Sequence, residues 1–422
     1  MYYRLALVPL GIILPVSLFV GCLSSVQTVD SAPSSHIDAP LPISDTVSMQ
    51  PEPDEPATAA PPDILLPDHE QPLPVITALR DENRLSPDRA EIRLRLAQRL
   101  YLIGDLDAAL DEYRAARALN PTDAVIHARL GAVLMVRQDW KAASLALQEA
   151  VRLNPELTEA HYNLGSTHYA LGDVQAATRS YRRVIELQPM FPEARYRLAL
   201  LMKLTHQHQE AANLLEEAAL GGVPQAQYFL GNAYQHGQGV DKNMYRAITW
   251  WSQAAMLGYQ PAAETLSKLR RQVFAFHQPD QRREELAEAF RRYRHQLWED
   301  YPGLTQNDPD QSLGATLFEE HQSVEGLTML LAEAYALSEP AQVTLAHLYE
   351  DGSETGPAPH NHRILACFET TASEGFPPAR KALARIYAKG LGVPVNRDKA
   401  IASLKGLPKQ DVQMLLDELD LR

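Results

Sequence analysis

The chain of 422 residues has only two cysteines, Cys22 and Cys367. Two thiols exclude a disulfide framework and any cysteine-rich zinc module. Aromatic residues make up only 7% of the chain. Basic residues are outnumbered, 39 Lys and Arg against 53 Asp and Glu, for a net charge of −14. A nucleic-acid-binding surface needs clustered Lys and Arg to displace counterions, so this balance argues against one. Between Arg4 and Arg80 there is no basic residue at all, while acids run from Asp30 to Glu70. Catalytic signatures are missing too: no phosphate loop ending in Lys-Ser or Lys-Thr, no Gly-x-Ser-x-Gly and no His-Glu-x-x-His. The expectation is a non-enzymatic protein without cofactor or metal.

Long apolar runs are also scarce, and the one present is N-terminal. Arg4 precedes 17 uncharged, mostly apolar residues, Leu5 to Gly21, interrupted by Pro9 and Pro15 and followed by Cys22. A small residue before a cysteine at the end of such a run resembles the lipobox of bacterial lipoproteins. The resemblance implies a signal peptide over 1–21, cleavage before Cys22, and acylation of its sulfur and of the new amine. Leu23 is not the Asp that retains family members at the inner membrane, so the resemblance implies the periplasmic face of the outer membrane. The alternative is an uncleaved signal anchor, because 17 residues approach the shortest bilayer span. Residues 22–75 read as an acidic, disordered tether. Eleven of the 30 prolines lie between Ser31 and Val75, and such a segment buries too little apolar surface to offset chain entropy.

Internal periodicity dominates the rest. Pro87, Pro121, Pro155 and Pro189 are each 34 residues apart. Between them one template recurs: Leu164, Gly165 and His168, a Gly172-Asp173 turn, then Ala177, Tyr181 and Val184. Leu130, Gly131 and Leu134 with Ala143, Leu147 and Ala150 repeat it, as do Leu96, Ala97 and Leu100 with Ala109, Tyr113 and Ala116. A fourth copy keeps Leu198, Ala199, Ala211 and Ala218 but carries His206-Gln207 at the turn. Small residues let paired helices approach, large apolar ones fill the groove, and one pair cannot cover its own apolar faces. This pattern resembles the tetratricopeptide repeat (TPR) family.

After Gly221 the template lengthens. Ala226, Leu230, Gly231 and Tyr234 are followed by Gly237-Gln-Gly239-Val240, then Arg246-Ala247, Trp250-Trp251, Ala254-Ala255 and Gly258. This resembles the Sel1-like repeat, whose helices are joined by a glycine-rich loop. Two more copies run through Ala341, Leu345, Tyr349, Phe368 and Ala372, and through Ala379, Leu383, Tyr387, Gly390-Leu-Gly392 and Ala400. Trp250 and Trp251 read as packing residues, with a ligand-stacking pair as the alternative. Residues 270–325 fit no repeat well; Arg282 to Trp298 is helical in pattern, Tyr301 to Asp310 a loop, and Leu327 to Leu337 the second helix of a degenerate repeat. Pro408 to Leu421 reads as a capping helix.

The expected fold is therefore all-α, a right-handed superhelical solenoid of TPR and Sel1-like hairpins. Its parts are four TPR units over 76–223, a Sel1-like repeat over 224–269, a divergent helical segment over 270–337, two Sel1-like repeats over 338–406 and a cap over 407–422. In the TPR family the first helices line a groove that contacts extended peptides. The resemblance places Arg95, Tyr101, Arg129, Tyr162, Asn163, Tyr169, Tyr196 and Arg197 there. Guanidinium groups suit carboxylates, so the expected partners are other envelope proteins or extended anionic peptides, with an acidic polysaccharide as alternative. Glu91 and Glu193, four residues before Arg95 and Arg197, equally permit ordinary surface pairs. In layout the chain is similar to lipoprotein scaffolds of secretion, pilus and exopolysaccharide machinery. Two other classes stay open: a polysaccharide- or peptidoglycan-binding module, and a hydrolase with its site in 270–325. Cys367 reads as a buried, inert thiol. The His206-Gln-His208 and His360-Asn-His362 pairs lack a nearby third ligand for a metal.

Overall fold

A computed structural model describes residues 72–274, 281–299, 311–321, 324–354 and 361–421. The stretches read as signal peptide, as tether up to residue 71 and as a loop over 301–310, with Cys22 and His360, lie outside them. The chain divides between Glu70 and Gln71 into two units, and the description below concerns the second. Among the described residues there are twenty α-helices and no strand.

The first helix, α1 (Pro72–Leu85), begins inside the stretch read as tether. Ile76 and Leu79, one turn apart, are buried against the next helix, and that burial is what recruits the segment into the fold. Four hairpins follow: α2 (Ala90–Leu102) with α3 (Leu106–Leu119), α4 (Ala124–Val136) with α5 (Trp140–Leu153), α6 (Thr158–Ala170) with α7 (Val174–Leu187), and α8 (Pro192–Leu204) with α9 (His208–Leu220). Each packs on its sequence neighbours.

The glycines of the template are where helices touch. A Cβ on Gly131 would lie 2.5 Å from Leu147 Cγ, and one on Gly165 would lie 2.8 Å from the Tyr181 ring. On the second helices Ala109, Ala143 and Ala177 are fully buried. The hairpin turns need a left-handed residue: Gly104 and Gly172 have φ of 80° and 81°, while Gln138 and His206 adopt 60° and 59° at the same repeat position. After that residue Asp105, Asp139 and Asp173 cap the second helices by accepting from Ala108, Ala142 and Ala176 N–H. Gln207 replaces the aspartate in the fourth hairpin and makes no such bond.

Successive hairpins are joined by side chains that bind the repeat-ending proline. Arg93 Nε donates to Pro87 O at 3.1 Å, and His127 and His161 Nε2 bond Pro121 and Pro155 O at 2.9 and 3.0 Å. The longer repeats use a different reach. Gln227, Gln342 and Arg380 each donate to the carbonyl eight residues back, Ala219, Ala334 and Ala372, at 3.1, 3.5 and 3.0 Å. The two repeat types are thus distinguished by how each grips its predecessor.

The first longer repeat is α10 (Pro224–His236) and α11 (Met244–Met256), followed by α12 (Gln260–Phe274). Gly237 and Gly239 take φ of 71° and 73°, and a Cβ on Gly239 would meet His208 O at 2.0 Å. Trp251 is fully buried, its Nε1 donating to Tyr228 O and Asn232 Oδ1, which is the packing role expected for it. The segment that fitted no repeat contains α13 (Gln281–Glu299) and a hairpin, α14 (Leu313–His321) with α15 (Val324–Tyr335). There a Cβ on Gly314 would lie 2.3 Å from Leu330 N and one on Gly326 2.6 Å from Phe318 N. Backbone-to-backbone contact this close needs glycine on both helices.

The last repeats are α16 (Glu339–Glu354) with α17 (Asn361–Glu374) and α18 (Pro377–Lys389) with α19 (Arg397–Ser403); α20 (Lys409–Glu418) closes the stack. Leu415 of α20 is buried with Ala384, Leu404 and Leu407, so α20 covers the final apolar face.

Candidate functional site

The eight residues assigned to a groove all lie on the first helices α2, α4, α6 and α8. Arg95 is exposed and reaches Glu82 of α1 at 3.9 Å, not Glu91 one turn back. Arg129 on α4 faces Glu159 in the first turn of α6, Nη1 to Oε1 2.9 Å. Tyr101 is half-buried, and Tyr169 is 40% exposed. Arg197 is half-buried with its guanidinium 5.7 Å from the Tyr196 ring.

Three of the eight are placed otherwise than as open surface. Tyr162, Asn163 and Tyr196 are only 6, 5 and 4% exposed. Tyr162 meets Tyr181 edge-on at 5.7 Å and Phe191 at 5.3 Å, and Tyr196 stacks near Phe229 at 6.1 Å. These rings fill the seam between one hairpin and the next, because a wide side chain at that repeat position points at the following first helix. Asn163 is different: it is buried, yet its Nδ2 has no hydrogen-bond partner.

Two polar clusters result. In the first, Tyr101, Tyr113, Arg129 and Glu159 lie within electrostatic reach. Burial pushes the Glu159 carboxyl above its usual range and Arg129 offsets only part of this. Burial likewise raises the Tyr101 and Tyr113 hydroxyls. In the second, Tyr181 bonds Ser166 Oγ at 2.9 Å, and Tyr162, Tyr169 and Arg197 surround it. Burial raises the Tyr181 hydroxyl as well. The arrangement suits hydrogen bonding and ring contact.

Sequence reasoning missed Glu159 and Glu82. Carboxylate partners were sought four residues away on one helix, whereas Glu159 is 30 residues after Arg129, one repeat less one turn. Arg137 and Asp107 pair at the same separation of 30. A search at that offset finds both.

The remaining chemical candidates are placed as follows. Cys367 is fully buried, and burial pushes its thiol up to about 12, which disfavours the thiolate a nucleophile requires. The His206 and His208 rings meet edge-on at 5.9 Å. In and beside the segment proposed for a hydrolase, Glu333 and Arg294 hold helix ends. Glu333 accepts from Ser312 Oγ and from Leu313 and Gly314 N–H, capping α14, and Arg294 donates to Ala336 O beyond α15.

The Sel1 repeat profile matches residues 224–259 and 377–402. Three tetratricopeptide profiles match 73–124, 133–172 and 158–191. No curated protein matches the chain, in whole or in part, at a significant level. Similar solved structures include a Sel1 repeat protein from Oxalobacter formigenes (20% identity over 84% of this chain and 96% of that one, TM-score 0.36). Others are PilF of Pseudomonas aeruginosa (17%, covering 51% and 89%, TM-score 0.35) and YrrB, described as a TPR protein with an unusual peptide-binding site (21%, covering 45% and 98%, TM-score 0.37). The matched segments coincide with helical hairpins of the fold, so residues 73–124 and 133–191 carry tetratricopeptide repeats and residues 224–259 and 377–402 carry Sel1 repeats.

Proposed function

We propose that this is a non-enzymatic envelope lipoprotein that holds an extended segment of a partner protein against the first helices of its TPR half. The observation that supports it most is the Arg129–Glu159–Asn163 cluster, where polar atoms on adjacent first helices are buried without full hydrogen bonding. Half-buried Tyr101 and exposed Tyr169 extend the same series of helices and offer flat faces to a peptide. Anchoring at Cys22 and location on the periplasmic face of the outer membrane rest on the sequence around Gly21-Cys22. A place in the assembly of a secretion, pilus or exopolysaccharide machine follows from the layout of lipobox, TPR and Sel1 units.

Two measurements test this reading. A photo-crosslinking residue at Tyr169 is expected to capture a discrete envelope protein in cells, and Arg129→Ala with Arg197→Ala to lose that product without loss of helical content. An unchanged capture pattern in the double variant overturns the groove assignment. Cys22→Ala is expected to abolish incorporation of labelled fatty acid and release the chain from membranes.

A further inference from the structure

The last repeat is charged unlike the rest of the chain. Between Glu374 and Asp411 the sequence holds eight Lys and Arg and a single acid, Asp398, although the whole chain carries −14. From Asp411 to Leu421 the sign reverses, with four acids and no base. The fold sets these two stretches against each other. Arg385 on α18 makes a two-bond ion pair with Glu418 of α20, Nε–Oε1 2.9 Å and Nη2–Oε2 3.0 Å. Lys381 Nζ lies 2.9 Å from Asp411 Oδ2, and Arg397 Nη1 donates to Asp420 O at 3.1 Å. Asp411, Leu415 and Glu418 fall at i, i+4 and i+7, so one face of α20 presents acid, leucine, acid. Leu415 packs with Ala384 of α18 and with Leu404 and Leu407.

This helix is lightly held. Of its ten residues only Leu415 is buried, with Leu421 buried beyond its end. Its two side-chain ion pairs are partly exposed, and such pairs contribute little against the cost of ordering a helix. The chain just before it is fixed, because Arg380 donates to Ala372 O at 3.0 Å and to Lys405 O. After Lys405, Gly406 takes φ of 84° and Pro408 precedes α20, so no helix runs through the connection. The basic side also exceeds what α20 neutralises. Lys389 adds to the field on Glu418, whose carboxyl Arg385 above all holds below its usual range, and Lys389, Lys399 and Lys405 are exposed.

We propose that the end face formed by α18 and α19 is a docking groove for an acidic amphipathic helix of a partner protein, and that α20 occupies it in the partner's absence. The partner helix carries an apolar residue in the place of Leu415, with carboxylates four residues before it and three after. Charge complementarity selects it, since Lys381, Arg385 and Lys389 favour carboxylates and Ala384, Leu404 and Leu407 favour the apolar residue between them. This face is the end of the stack, where a further hairpin would pack, and the inference does not depend on the TPR-half reading above.

The test uses the full chain and a fluorescein-labelled peptide with the sequence of Pro408 to Leu421, read by anisotropy. Leu415→Ala in the chain loosens α20 and is expected to bind the peptide about tenfold more tightly than wild type, because more of the groove stands open. Asp411→Lys with Glu418→Lys in the chain loosens α20 by repulsion and serves if the first variant fails to fold. A peptide with Asp411→Asn and Glu418→Gln is expected to bind about tenfold more weakly than the acidic one. Arg385→Glu in the chain is expected to lose the acidic peptide and to recover binding to a peptide with Glu418→Arg. Equal affinity in wild type and the loosened chains, a neutral peptide that binds as well as the acidic one, or no binding by any chain overturns the proposal. Dimerisation of wild type that Leu415→Ala abolishes gives the groove to a second copy and overturns the partner assignment.

Discussion

Arg270 on α12 and Glu374 at the end of α17 are 104 positions apart and form a two-bond ion pair, Nε–Oε2 2.5 Å and Nη2–Oε1 2.7 Å, with side chains 5% and 0% exposed. Arg270 also donates to Tyr335 O at 3.3 Å, so one guanidinium ties together α12, α15 and α17. Beside it a Cβ on Gly375 would lie 2.9 Å from Phe274 Cβ, and the Phe274 and Phe376 rings are 5.4 Å apart. Helices α12 and α17 are thereby joined across the four helices between them.

Arg270→Met or Glu374→Gln alone is expected to destabilise the fold by about 3–5 kcal/mol, because each leaves a buried charge or donor uncompensated. Replacing both by apolar residues of similar volume is expected to recover most of that loss. Urea denaturation of the two singles and the double measures it; additive losses would show that the pair does not act as a unit.

The left-handed turns yield a gain. Gln138 and His206 hold φ near 60° where Gly104 and Gly172 sit at 80°. A side chain with a Cβ is strained there and glycine is not. Gln138→Gly and His206→Gly are each expected to stabilise by about 0.5–1 kcal/mol, read as a higher urea midpoint at constant slope.

The helix contacts yield a loss. Gly165→Ala places a methyl 2.8 Å from the Tyr181 ring, and Tyr181 is 2% exposed with its hydroxyl bonded to Ser166. The cost is expected to be about 1–3 kcal/mol. Adding Tyr181→Leu is expected to make the pair less damaging than the sum of the single changes.

Acid is expected to weaken the third TPR hairpin. Burial holds the His161 imidazole below its usual pKa, although its bond to Pro155 O acts the other way. The unfolded chain therefore takes up a proton near pH 6.5, before the folded one does. This contribution is fully present above that value and is lost as pH falls toward the depressed folded value. His161→Gln removes the titration while keeping a donor toward Pro155. Its stability is expected to fall less than wild type's between pH 7.5 and 5.5 in paired thermal melts, and identical slopes would refute the assignment.

Much of the fold was readable because a repeat writes the same contact many times. Gly131, Gly165, Ala109, Ala143 and Ala177 announced close helix approach; the two glycines touch Leu147 and Tyr181, and the three alanines are fully buried. The α14–α15 hairpin was half-seen, since Gly314 and Gly326 replace the large-and-small pattern by direct backbone contact. The candidate site was legible in its helices but less so in its side chains. Repeat position alone does not say whether Tyr162 and Tyr196 face solvent or the seam behind the following helix.

Local propensity, 34-residue periodicity and turn chemistry, all carried by residues near one another in the chain, were enough to specify helical hairpins and their order. Which charges meet was decided only by stacking. Arg129 finds Glu159 one repeat on, and Arg270 finds Glu374 across four intervening helices, 104 positions along the chain. Coulomb attraction and desolvation depend on distance in space, and a sequence records separation only along the backbone.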